Sequence, residues 1–509
     1  MVAAAHPLAT DAGYAVLERG GSAVDAAIAV QMVLGLVEPD SSGIGGGAFM
    51  LHWSEHDRTL RSYDGRETAP AAAGAERFLD SEDKPLPFMD AAVGGRSVGV
   101  PGVLRMLELA HRRHGALPWQ ELFEPAIRLA EEGFAVSPRL RMQLAGERFL
   151  RDDAQARALY YEAGGRPRER ILNPEYGATL RAIATRGAHA FYAGDIARDV
   201  ARAVRARGGD LTVEDLAGYQ ALERDPLCGP YREWRICSMG PPSSGGLALL
   251  QILGILERTR FERAPPHSAT AVHLFSEAGR LAYADRALYV GDPAFVEVPI
   301  GRLLNSGYLD RRAALIGERS MRQALPGGTE GIGTSHFSIV DAQGNVLAMT
   351  STIENTFGSR IMVRGFLLNN ELTDFDFIPG SANQVAPGKR PRSSMAPALV
   401  FDAAGEARIA LGSPGGPNII NYVAKTLVGM LDWGLDIQSA LALPNFGSRN
   451  GPTLLEAGSS YEPLKGELQQ RNHDVELAPL TSGLHGIERI SGGWRGGADP
   501  RREGTVRGD

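Results

Sequence analysis

The sequence predicts a layered α+β fold, with an αββα order favoured over a doubly wound sheet, and three observations carry that expectation. Between residues 103 and 223, apolar positions recur at three- and four-residue spacing, the mark of amphipathic helices. From residue 334 the pattern changes to strands, with 335–341 and 346–353 joined by the hairpin turn Ala342-Gln343-Gly344-Asn345. A further hairpin pair, 396–402 with 407–411, follows. Helix and strand blocks segregated in this way pack as layers, whereas alternating βα units would predict a parallel sheet.

Taken in order, residues 8–19 read as an amphipathic helix ended by Gly20-Gly21. Ser22 is placed to cap a second helix running to about residue 36, and apolar side chains nearly all round put that helix in the interior. Ser42-Gly43-Ile44-Gly45-Gly46-Gly47-Ala48 then feeds a strand. Its Gly43-x-Gly45-x-x-Ala48 spacing matches the dinucleotide fingerprint in outline, but that fingerprint needs a strand before and a helix after. A tight turn with close backbone approach is the reading that fits. Tyr63-Asp64-Gly65-Arg66-Glu67 closes the next strand. Arg66 at such a turn can clamp a carboxylate bidentately, or simply pair with Glu67 or Asp64. Residues 79–90, polar and with two prolines, read as a loop.

Gly95-Arg96-Ser97-Val98-Gly99 has the outline of a serine-hydrolase elbow. Pro101 blocks the helix that must follow the elbow at once, so Ser97 is expected to be a strand or turn residue. Helical patterns occupy 103–113, 119–133, 138–149, 176–186 and 195–207, and Thr212 is a cap for the next helix. A strand at 231–239 precedes Gly240-Pro241-Pro242-Ser243-Ser244-Gly245-Gly246 and a helix over 247–259. Ser243 and Ser244 sit where caps are expected. Helices resume over 270–289, the glycine-rich 327–333 suits a cleavable linker, 360–369 reads as a strand, and 417–431 as a helix.

Composition narrows the classes. The 509 residues exceed one ordinary core, which fits two domains or one large domain cut into two subunits. Apolar content of 43% and charged content of 22% are those of a soluble globular protein. A net charge of −7, with no aromatics among the basic clusters, argues against a nucleic-acid partner. Cys228 and Cys237 flank a possible hairpin, so a disulfide is open but not required, and no Cys/His pattern points to a metal. No apolar run reaches the roughly 18 residues of a membrane span. No secretory signal is read at the start; a removed signal would place the protein in the periplasm or outside the cell, and otherwise it is cytoplasmic.

The chemistry centres on Gly333-Thr334. A hydroxyl behind a flexible glycine and ahead of a strand is a layout compatible with a self-cleaving enzyme, in which the freed Thr would use its own α-amine as base.

A series of blocks in one order resembles the γ-glutamyltranspeptidase family of N-terminal-nucleophile hydrolases, including its cephalosporin-acylase-like branch. The blocks begin with Gly20-Gly21-Ser22-Ala23-Val24-Asp25-Ala26-Ala27, Gly45-Gly46-Gly47-Ala48-Phe49-Met50, Arg66-Glu67-Thr68-Ala69-Pro70 and Gly99-Val100-Pro101-Gly102. They continue with Pro241-Pro242-Ser243-Ser244-Gly245-Gly246, Thr334-Ser335-His336-Phe337-Ser338 and Leu368-Asn369-Asn370-Glu371. Arg390-Pro391-Arg392-Ser393-Ser394-Met395, Gly412-Ser413-Pro414-Gly415-Gly416 and Gly497-Ala498-Asp499-Pro500-Arg501 complete them.

The resemblance implies a four-layer αββα sandwich and autocatalytic cleavage between Gly333 and Thr334. Residues 1–333 would form the large subunit and 334–509 the small one, together a heterodimer in one αββα domain. It implies Thr334 as nucleophile, Thr352 as its hydrogen-bonding partner, and the N–H groups of Gly415 and Gly416 as the oxyanion hole. Arg66, Ser393 and Ser394 match positions that hold a donor's α-carboxylate; Glu371 and Asp374 match positions that hold its α-ammonium. His336 is expected to be structural. The implied substrates are a glutathione-like γ-glutamyl donor and an amino-acid or water acceptor, with no cofactor and no metal.

Two departures bear on the substrate. Glu354 stands where many relatives carry Asn beside the ammonium, so three carboxylates would converge there, and one is expected to be protonated or turned away. Only residues 375–389 separate Asp374 from the Arg390 block, where many relatives have a longer lid, which implies an open site tolerant of bulky amines. A cephalosporin or glutaryl acylase of the same fold, and an unprocessed non-catalytic binding relative, are the alternatives.

Overall fold

Strict alternation of side chains builds the molecule around two antiparallel sheets. The computed structural model describes residues 1–323 and 334–509. The first sheet has seven strands, in the order Thr505–Arg507, Val2–Ala4, Thr334–Val340, Val346–Thr352, Gly47–Ser54, Thr59–Gly65 and Leu222–Arg224. The second has six: Gly493–Ala498, His485–Ile490, Ala407–Gly412, Ala398–Phe401, Trp234–Ser238 and Leu227–Tyr231. Val2–Ala4 runs between the last strand and Thr334–Val340, pairing Ala3 with Val506 on one side and Ser338 on the other.

Period two decides which side chains meet. Leu51, Trp53, Val346 and Ala348 of the first sheet share one apolar core with Leu399, Phe401, Ala410 and Ile487 of the second. The intervening Met50, Phe337, Ile339, Leu347 and Met349 turn the other way and pack with helices Pro7–Glu18, Ala23–Val37 and Val103–His114. On the second sheet, Ala398, Val400, Ile409 and Leu411 pack with helices Gly245–Glu257, Ala269–Tyr289 and Ile419–Leu431. Each fully buried Leu, Ile, Phe or Met contributes about 1.5–3 kcal/mol, so burial on both sheet faces holds the strands in register. The fold is α+β.

The N-terminal elements form as the sequence predicts. Ser22 and Asp25 make a reciprocal capping box at the start of Ala23–Val37, which is buried at every position but Gly35. Thr212 and Asp215 make the same box further on. Cys228 and Cys237 face each other on paired strands and are joined by a disulfide.

Two expectations are corrected. Residues 360–369 are not one strand: Arg364 and Gly365 both have positive φ and turn the chain, leaving two-residue strands Met362–Val363 and Phe366–Leu367. A side chain at Gly365 would meet Tyr176 N at 2.5 Å, so glycine is required at that turn. The expected loop over 79–90 contains the start of a short helix, Phe88–Ala92. The expected linker at 327–333, with Gly333, lies outside the described residues.

Candidate active site

Thr334 opens a strand that is buried along its whole length, directly opposite Thr352, the last residue of the neighbouring strand. The Thr334 hydroxyl donates to Thr352 Oγ1 across 3.4 Å, and Thr352 Oγ1 also accepts the Glu354 N–H at 2.8 Å. On its other side Thr352 pairs with Gly47. The glycine loop before that strand is there for contact: a Cβ on Gly46 would lie 2.0 Å from Thr352 O, and one on Gly45 would lie 2.1 Å from Leu367 O. A strand follows this loop, as expected, and the close-approach reading of Gly43–Ala48 stands.

His336 shares its strand face with Thr334. Its ring nitrogens bond Thr350 Oγ1 at 2.9 Å and Ser338 Oγ at 3.1 Å, and it packs over Gly412. Burial, with a smaller push from His485, holds it well below the ordinary histidine range, so it is neutral. Ser97 lies in a short 3-10 turn, where its hydroxyl donates to Ala92 O at 2.6 Å and Gly94 O at 3.1 Å.

The charged end of the cleft is built on Arg66, which leaves its strand wholly buried. Its Nη1 bonds Glu371, and its Nη2 bonds Asp374. Its Nε donates to Pro391 O at 3.1 Å and its Nη2 to Arg392 O at 3.0 Å. Asn369 places the acidic turn: its amide donates to Gly45 O at 2.8 Å and Gly99 O at 2.9 Å, and accepts from Glu371 N at 3.0 Å. The expected carboxylate-binding and ammonium-binding ends are therefore in direct contact. An α-amino acid carries both charges on one carbon, so groups that receive them must be neighbours.

Burial raises Glu371 to about 7 against the pull of Arg66, with Asp374 adding to the rise. Arg66 is raised: burial works against its charge, but Glu371, Asp374 and Glu67 outweigh it. Glu354, at φ 74°, is bonded by the Asn370 amide. Of the three carboxylates expected to converge, two thus turn to Arg66 and the third is held by Asn370.

Ser393 and Ser394 come from the segment that passes the Pro241–Gly246 turn. Ser244 donates to Ser393 O through its N–H at 2.8 Å and its hydroxyl at 2.5 Å, and the Ser243 hydroxyl donates to Met395 O at 2.5 Å. The capping expectation holds for Ser243, whose Oγ accepts the Gly245 N–H at 3.1 Å, and is corrected for Ser244, which makes no side-chain cap for helix Gly245–Glu257. Both serines also tie this turn to the segment that carries Ser393 and Ser394 into the cleft. Arg286 is a residue that sequence reasoning missed. It donates to Ser244 Oγ at 2.7 Å and Ser394 Oγ at 2.8 Å, and is 5% exposed. An arginine on an otherwise buried face of helix Ala269–Tyr289 was the available signal.

Gly415 and Gly416 have φ of 132° and 55°, where a side chain is strained. Tyr422 fills the space a Cβ on Gly415 would need, its ring 2.6 Å away. Neither glycine's N–H finds an acceptor among the described residues. Helix Ile419–Leu431 begins just beyond them and presents its positive end to the same region.

One cleft is lined by Arg66, Thr334, Thr352, Glu354, Glu371, Asp374, Ser393, Ser394 and Gly416, closed by Met395 and Ile419. Gly415 lines an adjoining groove with Arg286, Tyr283 and Tyr422. Beyond Asp374, the short 375–389 segment contributes Phe375, Phe377 and Ile378 to an apolar trough shared with Leu86, Phe88 and Leu288.

Away from the cleft, His273, Glu277 and His473 come close enough to suggest a metal site. The His273 Nδ1 and His473 Nε2 atoms are 2.8 Å apart and bond each other, while Glu277 accepts from Arg280, Ser320 and Met321. This is a hydrogen-bond network in which each ligand atom already has a partner. No helix among the described residues is long and apolar enough to cross a membrane.

A family model described as gamma-glutamyltranspeptidase matches residues 9–508. The chain is 35% identical to the glutathione hydrolase proenzyme of Bacillus subtilis (strain 168), over all of this chain and 91% of that protein. It is 37% identical to the acylase ACY 1 proenzyme of Pseudomonas sp. (strain SE83), over 99% of this chain and 92% of that one. Among solved structures, cephalosporin acylase from Bacillus halodurans superposes with a TM-score of 0.90 at 28% identity, covering 99% of this chain and 95% of that chain.

Proposed function

Because the chain belongs to the γ-glutamyltranspeptidase family, and is an enzyme of the γ-glutamyltransferase and hydrolase type, we propose that it cleaves glutathione and other γ-glutamyl amides through a Thr334 acyl-enzyme. The observation that carries this reading is the cleft itself. A hydroxyl at Thr334, bonded to Thr352, opens onto the same space as Arg66, Glu371 and Asp374.

In this reading the chain matures by attack of the Thr334 hydroxyl on the Gly333 carbonyl, followed by N-to-O acyl shift and hydrolysis. Residues 1–333 and 334–509 then form a heterodimer within one domain. The alternating cores described above support a four-layer αββα sandwich of the N-terminal-nucleophile type.

The freed α-amine of Thr334, with an unperturbed pKa of roughly 7.7–8.0, takes the hydroxyl proton. The oxygen attacks the γ-carbonyl, the tetrahedral oxyanion is met by the N–H groups of Gly415 and Gly416, and the amine leaves with a proton. Each such donor is worth about 2.7–4 kcal/mol. Water completes hydrolysis, and an amino acid or dipeptide completes transpeptidation. Arg66, Ser393 and Ser394 receive the donor's α-carboxylate; Glu371, Asp374 and Glu354 receive its α-ammonium.

A second reading, a cephalosporin or glutaryl acylase, draws on Glu354 and on the ion pairs that Glu371 and Asp374 already make with Arg66. Comparing γ-glutamyl-p-nitroanilide with glutaryl-p-nitroanilide separates the two, because only the former carries the ammonium. Faster turnover of the γ-glutamyl compound is expected. Equal turnover would remove the ammonium clamp.

A further inference from the structure

Three buried carboxyl oxygens meet beside Arg66 with no hydrogen donor to serve them. Both oxygens of Glu67 and Oε2 of Glu371 lack a hydrogen-bond partner among the described residues. Glu67 is fully buried, and its Oε2 stands 3.9 Å from the Arg66 Nη1 that Glu371 Oε1 occupies. Backbone shuts it in: a Cβ on Gly47 would lie 2.2 Å from Glu67 Oε2, and one on Gly99 would lie 2.9 Å from Glu67 Cβ. The carboxyl is thus packed close against backbone and out of water.

Two ionised carboxylates held together out of water repel each other, and both are acceptors. One proton between them removes the repulsion and converts one acceptor into a donor. Glu67 Oε2 and Glu371 Oε1 both face one nitrogen of Arg66, which sets the two carboxyls side by side. Burial, then Glu371, holds Glu67 well above the ordinary carboxyl range, against the pull of Arg66. The charged and titratable groups that act on Glu67, or feel its charge, are Arg66, Glu371, Asp374 and Tyr219.

We propose that Glu67 is a positioning residue: it keeps its proton, donates it to Glu371 Oε2, and so holds Glu371 as the ionised, oriented partner of a substrate ammonium. The proposal rests on the reading of Glu371 as an ammonium contact. It adds a residue that touches no substrate to the set that decides donor affinity. The pair carries a single proton above pH about 7, where Glu371 is ionised, and takes a second below it. Donor KM therefore rises as pH falls through that range.

The test compares wild type, Glu67→Gln and Glu67→Leu on γ-glutamyl-p-nitroanilide across pH, beside difference infrared spectra at pH 8. The Gln amide supplies the same fixed donor, so Glu67→Gln is expected to keep donor KM within about twofold and its pH midpoint unchanged. Glu67→Leu leaves Glu371 Oε2 without a donor, which raises donor KM about tenfold at pH 7.5 and moves the midpoint upward. The infrared band of a protonated carboxyl is expected in wild type at pH 8 and absent from both variants. Wild type without that band overturns the proposal whatever the turnover, as does Glu67→Gln behaving like Glu67→Leu, or all three sharing one pH profile. Wild type with the band but with no γ-glutamyl turnover defeats the substrate reading alone.

Discussion

The Thr334 and Thr352 hydroxyls are joined at 3.4 Å across directly paired positions of two neighbouring antiparallel strands. Sheet register thus fixes the separation of the two oxygens, and no loop has to be ordered to bring them together. Thr352 also accepts the Glu354 N–H, which fixes its own rotamer. Removing this partner should slow acyl transfer and leave donor binding intact. Thr352→Ala is expected to lower kcat by about tenfold to a hundredfold, roughly 1.4–2.7 kcal/mol, with KM nearly unchanged, and Thr352→Ser to recover most of the loss. Steady-state kinetics on both variants decide it; a KM effect without a kcat effect would move Thr352 from the chemistry to binding.

Gly415 tolerates no side chain, for reasons of both backbone and space. Its φ of 132° disfavours any L residue, and the Tyr422 ring occupies the Cβ position. Gly415→Ala should therefore shift the N–H pair proposed to meet the oxyanion, with a loss of about 10²–10³ in kcat. The paired variant Gly415→Ala with Tyr422→Ala relieves the clash but not the φ strain, so only partial recovery is expected. Full recovery would assign the whole cost to Tyr422.

Buried neutral histidines should make the fold acid-sensitive. His336 is held well below the ordinary range by burial, His52 is lowered to about 3 and His485 to about 4, in each case chiefly by burial. The unfolded chain, with ordinary histidines near 6.5, binds more protons than the native state between those values and pH 6.5. Stability is therefore complete above about pH 6.5 and is lost as pH falls, by up to about 1.4 kcal/mol per unit for each such histidine. Urea midpoints from pH 7 to 4.5 should fall along this slope, and His52→Phe should flatten it. A midpoint independent of pH across that range would contradict the assignment.

The short 375–389 segment is expected to bear on amine choice. Ile378 and Leu288 are 64% and 65% exposed on the apolar trough that borders Asp374. Exposed apolar side chains at the mouth of a cleft favour amines with aromatic or branched groups. Such acceptors should stimulate p-nitroaniline release at lower concentration than glycine does, and Ile378→Asp should weaken that preference by about threefold to tenfold. Unchanged acceptor KM values in Ile378→Asp would leave the trough without a part in acceptor choice.

How much of this was legible in the sequence depends on the kind of contact. Period two after residue 334 gave the strands that pair Thr334 with Thr352, and Ser22 announced the helix it caps. Single residue types in a matched order pointed to Arg66, Glu371 and Asp374, yet not to their mutual ion pairs, because those join positions some 300 residues apart. Arg286 escaped notice since its partners, Ser244 and Ser394, lie on other segments. Local chemistry makes Ser243 and Ser244 caps, and Ser243 does accept the Gly245 N–H, but the hydroxyl protons of both go to Met395 O and Ser393 O on a segment distant in sequence, which local chemistry does not reveal. The turn at Arg364-Gly365 interrupts an apolar run, and Gly365 was the available signal, since an isolated glycine in a strand pattern marks a bend.

The central claim is that Thr334 becomes a chain terminus. Intact-mass analysis of the purified protein, with N-terminal sequencing of the smaller fragment, tests it most directly. Two chains are expected, the smaller beginning Thr334-Ser335-His336, and Thr334→Ala should remain a single chain of 509 residues without γ-glutamyl turnover. An uncut wild-type chain that hydrolyses γ-glutamyl-p-nitroanilide, or a small fragment starting at any other residue, would contradict the account.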